Sequence, residues 1–373
     1  MIVIICPEFY GVHGIARYVQ SYLAARPENA SRICLIAADE DVRDLSIRNV
    51  EFVHLPKPAG RLGLIRWSLA LRKVLKRMAG EGRVSVMNLH IPPLLPGLFL
   101  PNIAPLVVTA HTTYLGMSGQ FYRPRQFQSQ WPWLSVFIKK LFEQVIFSKA
   151  AALLTLTEQG RQELRCYRRD RPIDLVPNGV AADKFTPDPS VAKDVDVLFA
   201  GRIERRKGSR PMVEVCRALV AAKPDIRIGI VGYGDDMDYV SAQLAPLVPQ
   251  VTLHGKVPFD EVLHHYRRSK VYASTSYYEG LPGTCLEAMA VGLPVVAWDY
   301  LFYANVVTEG GNGRLVEPND VDGFVRATLQ TLASDETAAS YGETGSRIAR
   351  KDFSWRAIAE RLDGLLMARQ LKN

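Results

Sequence analysis

Two glutamates eight residues apart, Glu279 and Glu287, lie in the run Tyr278-Glu279-Gly280-Leu281-Pro282-Gly283-Thr284-Cys285-Leu286-Glu287-Ala288-Met289-Ala290. Leu286 to Ala290 reads as helix, and a glycine-containing turn precedes it. One carboxylate therefore belongs to a loop and the other to a helix. Between them lie first-turn N–H groups of the kind that bind phosphate. A helical step of eight residues spans ~12 Å. That span disfavours a retaining glycosidase dyad, which needs about 5–5.5 Å, and it suits a ligand with hydroxyls at both ends and charge between, such as a nucleotide-diphosphate sugar. The plain alternative is a solvated loop glutamate and an unrelated helix-face glutamate.

Further segments could carry chemistry. Gly201-Arg202-Ile203-Glu204-Arg205-Arg206-Lys207-Gly208 follows the apolar run Val195–Ala200. A cationic turn at the carboxyl end of a strand is where an anion binds in an α/β sheet, with Arg202 able to grip phosphate through two N–H groups and Lys207 acting as a point charge. A solvated basic turn is the alternative. Phe9-Tyr10-Gly11-Val12-His13-Gly14-Ile15-Ala16-Arg17 follows the first strand candidate, and Gly14 would let a ligand approach a helix N-terminus or simply make a strand-to-helix turn. It is not a full GxGxxG, so a dinucleotide reading is weak. His111 follows the run Leu106–Ala110 and is the histidine best placed to hydrogen-bond a sugar or move a proton, and His90 occupies the analogous place after Ser85–Leu89. Val231-Gly232-Tyr233-Gly234-Asp235 and His254-Gly255-Lys256-Val257-Pro258 close two further strand candidates, where main chain could read a base or simply turn.

The elements that must position these residues alternate. Strand candidates are Met1–Cys6, Ile33–Ala37, Glu51–Leu55, Ser85–Leu89, Leu106–Ala110, Ala152–Leu156 and Ile173–Val176, then Val195–Ala200, Ile226–Val231, Val251–Leu253, Val271–Ser274, Pro294–Ala297 and Gly313–Val316. Helical stretches separate them, which predicts βαβ units and two parallel, doubly wound sheets facing across a cleft. The proline-rich run Thr186-Pro187-Asp188-Pro189-Ser190 divides residues 1–188 from 189–354, and a closing helix over 355–373 is expected to pack back on the first domain.

Composition narrows the classes. The chain has 373 residues, 48% apolar and 23% charged, as in a globular protein large enough for two cores. Its five cysteines have no CxxC or zinc spacing, so a reduced cytoplasmic chain is expected. Met1–Cys6 has no basic leader, and Glu8 follows it. Ile91–Val108 is uncharged and about long enough to cross a bilayer, but Pro92, Pro93, Pro96, Pro101 and Pro105 argue instead for a loop and a broken helix. Residues 1–185 hold 24 Lys and Arg against 14 Asp and Glu, while the remainder holds 22 against 24. The first half thus suits an anionic partner.

Taken together the chain resembles the family-4 glycosyltransferases, the retaining group with the GT-B fold. The resemblance rests on Gly14, His111, Pro177-Asn178-Gly179-Val180, Arg202 and Lys207, the Glu279…Glu287 block with its Glu-Ala-Met-Ala, and the closing Phe353-Ser354-Trp355, in the family's order. It implies that Arg202 and Lys207 neutralise the donor diphosphate, that Glu287 binds the ribose and that Glu279 binds the donor sugar. Main-chain groups near Leu281, Pro282, Gly283, Thr284 and Gly14 would cradle phosphate. Those near Lys256 and Val257 would hold the base, and His111 would face the donor sugar and the acceptor. It implies no metal, no cofactor beyond the nucleotide-sugar co-substrate, and no protein nucleophile. The chain departs from the family in having Gly11 and Gly14 rather than adjacent glycines, and Pro282 where glycine is common.

The resemblance also implies a UDP-sugar donor, with GDP-mannose as the alternative, and a glycan or lipid-linked acceptor in surface polysaccharide, lipopolysaccharide or glycolipid assembly. Arg61–Arg83 and Trp131–Lys149 combine apolar, aromatic and basic residues, a pattern suited to an anionic membrane surface, here the inner face of the plasma membrane, or to packing on a sheet. A nucleotide-sugar epimerase or a phosphorylase would fit the same scaffold. A basic nucleic-acid-binding protein is the reading from another class, but no recognition motif supports it, so no nucleic-acid partner is expected.

Overall fold

The computed structural model describes residues 1–11, 14–38, 47–60, 62–122, 127 and 131–370. The chain forms two compact units: Met1–Gly179 with the segment that starts at Trp355, and Val180–Ser354. The run Thr186–Ser190 lies within the second unit, where Arg267 donates to the Thr186 carbonyl at 2.9 Å and to its hydroxyl at 3.0 Å.

In the first unit, β1 (Ile2–Ile5), β2 (Ile33–Ala38), β3 (Val50–Leu55), β4 (Val86–Ile91), β5 (Leu106–Ala110), β6 (Ala152–Thr155) and β7 (Ile173–Leu175) make one sheet in the order β3-β2-β1-β4-β5-β6-β7. In the second, β8 (Val195–Ala200), β9 (Ile228–Val231), β10 (Val251–Gly255), β11 (Ser269–Ser274), β12 (Val295–Trp298) and β13 (Gly313–Val316) run β10-β9-β8-β11-β12-β13. Every pairing is parallel. Helices on both faces explain the sequence pattern, because strands covered on both sides read as continuous apolar runs. Every residue of β1, β2, β4 and β5 is buried.

Strand order reverses beside β1 in the first sheet and beside β8 in the second. Such switch points open a crevice at the carboxyl ends of the flanking strands. Each unit therefore offers one prepared place, between β1 and β4 and between β8 and β11. All thirteen strand candidates are strands. The largest shift concerns β4, which runs on through His90 and Ile91, so His90 is a core strand residue rather than a residue after a strand.

Ile91–Val108 forms the end of β4, a five-residue helix over Leu95–Phe99 and most of β5. Among the described residues no helix is long and apolar enough to cross a membrane. The two amphipathic segments differ. Helix Gly63–Gly80 turns Trp67, Leu71, Leu75 and Met78 into the core, each burial worth roughly 1.5–3 kcal/mol. Helix Trp133–Lys149 buries Val136, Ile146 and Phe147 but leaves Trp133 77% and Phe137 60% exposed, with Leu134, Ile138, Leu141 and Val145 also outside.

Helix Trp355–Met367 buries Ile358, Ala359, Leu362 and Leu366. Its Asp363 carboxylate accepts from the Tyr22 hydroxyl and from Arg26 Nε at 3.0 Å. The Trp355 ring lies against Gly179, where a Cβ would come within 2.5 Å of it. All five cysteines are free, and only Cys166 is exposed.

Candidate active site

The cationic turn follows β8 and bends back on itself. Gly201 N donates to Val231 O at 3.0 Å, and Ile203 N donates to Tyr233 O at 3.2 Å, so the turns after β8 and β9 are stitched together. A Cβ at Gly232, where φ is 141°, would lie 1.7 Å from Gly201 O, so no other residue fits. Arg205–Lys207 then make one 3-10 turn that ends at Gly208 in the left-handed region, φ 69°. A Cβ on Gly208 would stand 1.8 Å from Thr275 O. That approach, fixed by Thr275 Oγ1 donating to Gly208 O at 2.9 Å, carries the turn onto the loop after β11.

The contact joins Lys207 to Glu279. Lys207 Nζ donates to both carboxylate oxygens, and Ser276 Oγ donates to Glu279 Oε1 at 3.0 Å. The Lys207 side chain is 20% exposed and that of Glu279 8%. Burial lowers the Lys207 pKa, Glu279 opposes that shift and the Arg206 charge adds to it. Arg206 braces the loop, since its guanidinium reaches Tyr278 O at 3.2 Å and Glu204 at 2.6 Å, while its own carbonyl accepts from Tyr277 N and Tyr278 N. Arg202 is 66% exposed and only loosely paired with Glu204 at 3.4 Å. Gly201, Arg202, Lys207, Ser274, Ser276 and Glu279 border one small cavity of about 30 Å³ at the β8/β11 switch point.

Glu287 sits in helix Gly283–Ala290 and accepts from Tyr266 Oη at 3.0 Å. Tyr272 Oη lies 2.7 Å from Thr284 Oγ1 and 3.4 Å from Ala200 O, which ties the helix start to the end of β8. Pro282 occupies the N-cap place without a side-chain cap. Gly283 N turns onto Leu281 O, and Cys285 N and Leu286 N turn onto Pro282 O. Among the described residues, the N–H groups of Leu281 and Thr284 have no protein acceptor. These two are available for an anion.

Lys256 and Val257 follow β10, two strands from β8, and Gly232 N donates to Gly255 O at 2.9 Å. Lys256 Nζ stands 5.9 Å from the ring centre of Tyr233, a side chain 59% exposed. Lys207 and Glu279 thus meet directly, Arg202 borders the same cavity, Thr284 and Glu287 join them through Tyr272 and Tyr266, and Lys256 and Val257 stand farther along the same sheet edge.

The first unit holds the other candidates. Gly14 opens helix Gly14–Ala24, and a Cβ there would meet nothing within 4 Å. Val12 and His13 lie outside the described residues. His111, 6% exposed, directly follows β5. Its main-chain N–H donates to Ile91 O at 3.2 Å. Its Nε2 lies 2.9 Å from Nδ1 of the wholly buried His90. Burial brings the His111 pKa down to about 3 and holds His90 well below the usual range, with the His111 ring adding to the latter. Among the described residues no three His, Cys, Asp or Glu side chains gather as a metal site.

Ser276, Arg206, Tyr266 and Tyr272 are part of this architecture although the sequence did not single them out. The hydroxyl run Ser274-Thr275-Ser276 at the end of β11 was the available signal. The tyrosines gave none, since each reads as an ordinary core aromatic.

Comparisons with known proteins give the family and the fold. Residues 12–184 match the family model "Glycosyltransferase Family 4", and residues 183–348 match "Glycosyl transferases group 1". The phosphatidyl-myo-inositol mannosyltransferase of Mycolicibacterium smegmatis is 28% identical over 310 residues, 79% of this chain and 74% of that protein. A GDP-mannose-dependent alpha-(1-6)-phosphatidylinositol monomannoside mannosyltransferase of the same organism is 28% identical over 53% of this chain and 57% of its own length. Among solved structures, sucrose-phosphate synthase from Thermosynechococcus elongatus superposes with a TM-score of 0.79 at 20% identity, covering 98% of each chain. HepE of Anabaena, solved with UDP-glucose, gives 0.76 at 18% identity over 98% of this chain and 99% of that one. With the two models spanning nearly the whole sequence and two Rossmann-like parallel-sheet domains of the GT-B type beneath them, this chain belongs to the family-4, group 1 glycosyltransferases.

Proposed function

We propose that this glycosyltransferase moves a hexose from a nucleotide-diphosphate sugar to a lipid-linked or glycan acceptor with retention at the anomeric carbon. The observation that carries the reading is the Lys207–Glu279 pair beside the open Arg202, at the β8/β11 switch point. Arg202 and Lys207 stabilise the diphosphate as it takes up charge. The N–H groups of Leu281 and Thr284 bind its oxygens. A carboxylate offers about four lone-pair sites; Lys207 and Ser276 occupy three at Glu279, which leaves one for a sugar hydroxyl. Glu287 holds the ribose, and Lys256 and Val257 hold the base beside the exposed Tyr233 ring. His111 supplies the first unit's hydrogen bond to substrate.

In the reaction, the bond from the anomeric carbon to the diphosphate oxygen breaks, and a bond to the acceptor oxygen forms on the same face. The acceptor proton passes to the departing diphosphate oxygen, so no protein nucleophile and no protein base is assigned.

Curated relatives named as mannosyltransferases, one of them GDP-mannose-dependent, support a guanosine donor ahead of a uridine one. Their phosphatidylinositol acceptors support a lipid-linked acceptor here. So does the exposed row Trp133, Leu134, Phe137, Ile138, Leu141 and Val145, which would lie on an anionic bilayer at the cytoplasmic face. A screen of GDP-, UDP- and ADP-hexoses, read by hydrolysis, tests the donor. Glu287→Ala should weaken donor binding, and Lys207→Ala should mainly cut turnover. Unchanged kinetics in both variants rejects the site. Sedimentation with anionic liposomes, lost in a Trp133→Glu, Phe137→Glu variant, tests the membrane face.

A further inference from the structure

One hydrogen bond between two buried imidazoles in the first unit decides what His111 can do. His90 Nδ1 and His111 Nε2 stand 2.9 Å apart, and a single proton lies between them. His90 is wholly buried, and its second nitrogen, Nε2, has no partner among the described residues.

That orphaned nitrogen distinguishes the two directions. If His90 accepts at Nδ1, its own proton sits on Nε2 as a buried N–H without an acceptor. Such donors are rare in folded proteins, because a buried N–H without an acceptor loses its hydration and gains nothing. If His90 donates from Nδ1, Nε2 carries only a lone pair, and under-satisfied buried acceptors are the commoner case. A doubly protonated His90 is not a third choice, because burial keeps both rings neutral near pH 7.

We infer that His90 donates its Nδ1 proton to His111 Nε2, which places the His111 proton on Nδ1 and makes His111 a fixed N–H donor rather than a base. The surroundings agree. Tyr18 packs edge-on against His111 at 4.8 Å between ring centres and lies 5.7 Å from His90. The Tyr18 hydroxyl is itself buried without a partner among the described residues, so it competes for neither ring. β4 and β5 are paired from Met87↔Leu106 to Ile91↔Ala110, which fixes the backbone from which both rings project.

An N–H donor suits a sugar hydroxyl or an oxygen gaining negative charge, and it cannot remove the acceptor's proton. His90 thereby becomes a positioning residue for the transfer. This consequence rests on the proposal that His111 meets substrate.

The experiment uses the full chain labelled with ¹⁵N-histidine, without donor, with the two residues identified by comparison with H90Q and H111Q. The expected spectrum near neutral pH shows His111 protonated at Nδ1 and bare at Nε2, and His90 protonated at Nδ1. The opposite pattern in wild type, with both rings protonated at Nε2, overturns the inference. In turnover, His90→Leu should lower kcat/KM by roughly 10- to 100-fold, mostly through kcat, and His90→Gln, which retains an N–H donor, should recover most of it. If H111Q is impaired but H90L is not, or if H90Q is as poor as H90L, the positioning role fails. If the spectrum is as expected yet H111Q turns over normally, the placement of His111 in the reaction fails while its tautomer stands.

Discussion

Replacing Glu279 by glutamine gives the sharpest test of the second unit's site. The amide keeps the side chain's shape and can still accept from Ser276, so the change removes charge and little else. Breaking a fully buried ion pair from one side costs roughly 3–5 kcal/mol. Lys207 retains 20% exposure, and water there compensates in part, so a loss of about 2 kcal/mol is expected at neutral pH. Losing the carboxylate that holds the ammonium charged should lower the Lys207 pKa further. It already lies below that of a free lysine because of burial, with Glu279 acting in the opposite sense. The ammonium proposed to bind diphosphate exists below its pKa, so the alkaline fall in kcat/KM should begin at lower pH in E279Q. With the folded pKa below the unfolded one, the unfolded chain holds the extra proton. The stability deficit is therefore largest at neutral pH and shrinks as pH rises toward the unfolded lysine value. The assays are kcat/KM for donor against pH and urea unfolding at several pH values. A coupling of about 2 kcal/mol in the cycle with Lys207→Met completes the test. An unchanged alkaline limb with an unchanged urea midpoint, or strict additivity in the cycle, would refute the reasoning.

Other outcomes follow from particular contacts. Gly208→Ala puts a Cβ 1.8 Å from Thr275 O in a left-handed residue, and the chain should lose about 3 kcal/mol or more in urea unfolding while the KM for donor rises. His111, with its pKa near 3 from burial, is neutral in the folded state where the unfolded chain would charge it. That contribution is intact above about pH 6.5 and is lost as pH falls toward 3, so the melting temperature of His111→Gln should fall less steeply with acid. Glu143, buried behind Tyr167, the Tyr114 N–H, Glu163 and Lys140, has its pKa raised to about 7, chiefly by burial. Its contribution is present below the unfolded carboxylate value and lost as pH rises through 7, so Glu143→Gln should be more stable than wild type by about 2 kcal/mol at pH 8, measured by urea unfolding.

What could be read in advance follows from the range of the forces involved. The strands were legible because sheets covered on both faces demand unbroken apolar runs, and the cationic turn was legible because it follows such a run. The extension of β4 through His90 was not, since a histidine ends an apolar pattern by type even when a second histidine satisfies it in the core. The brace of Arg206 on the Tyr278 carbonyl and the pairing of Lys207 with Glu279 were also hidden. Each joins positions 72 residues apart in the chain, and only the strand order that sets β8 beside β11 brings them together. Pro282 was noted as one missing N–H. The structure adds that three neighbouring N–H groups turn inward, leaving those of Leu281 and Thr284.

The helix that begins at Trp355 gives the chain an order of assembly. Synthesis proceeds from the amino terminus at about 5–20 residues per second, and domains close as units. Residues 180–354 are contiguous and can complete their sheet as soon as they emerge. The first unit is completed later, because the residue that binds Tyr22 and Arg26, Asp363, and the ring that covers Gly179, Trp355, follow the second unit in the chain. The half translated first is therefore the half that matures second, and during that interval Tyr18 and Tyr22 depend on solvent or a chaperone for cover. A chain cut after Ser354 would hold a complete second unit and a first one without the helix that covers Gly179.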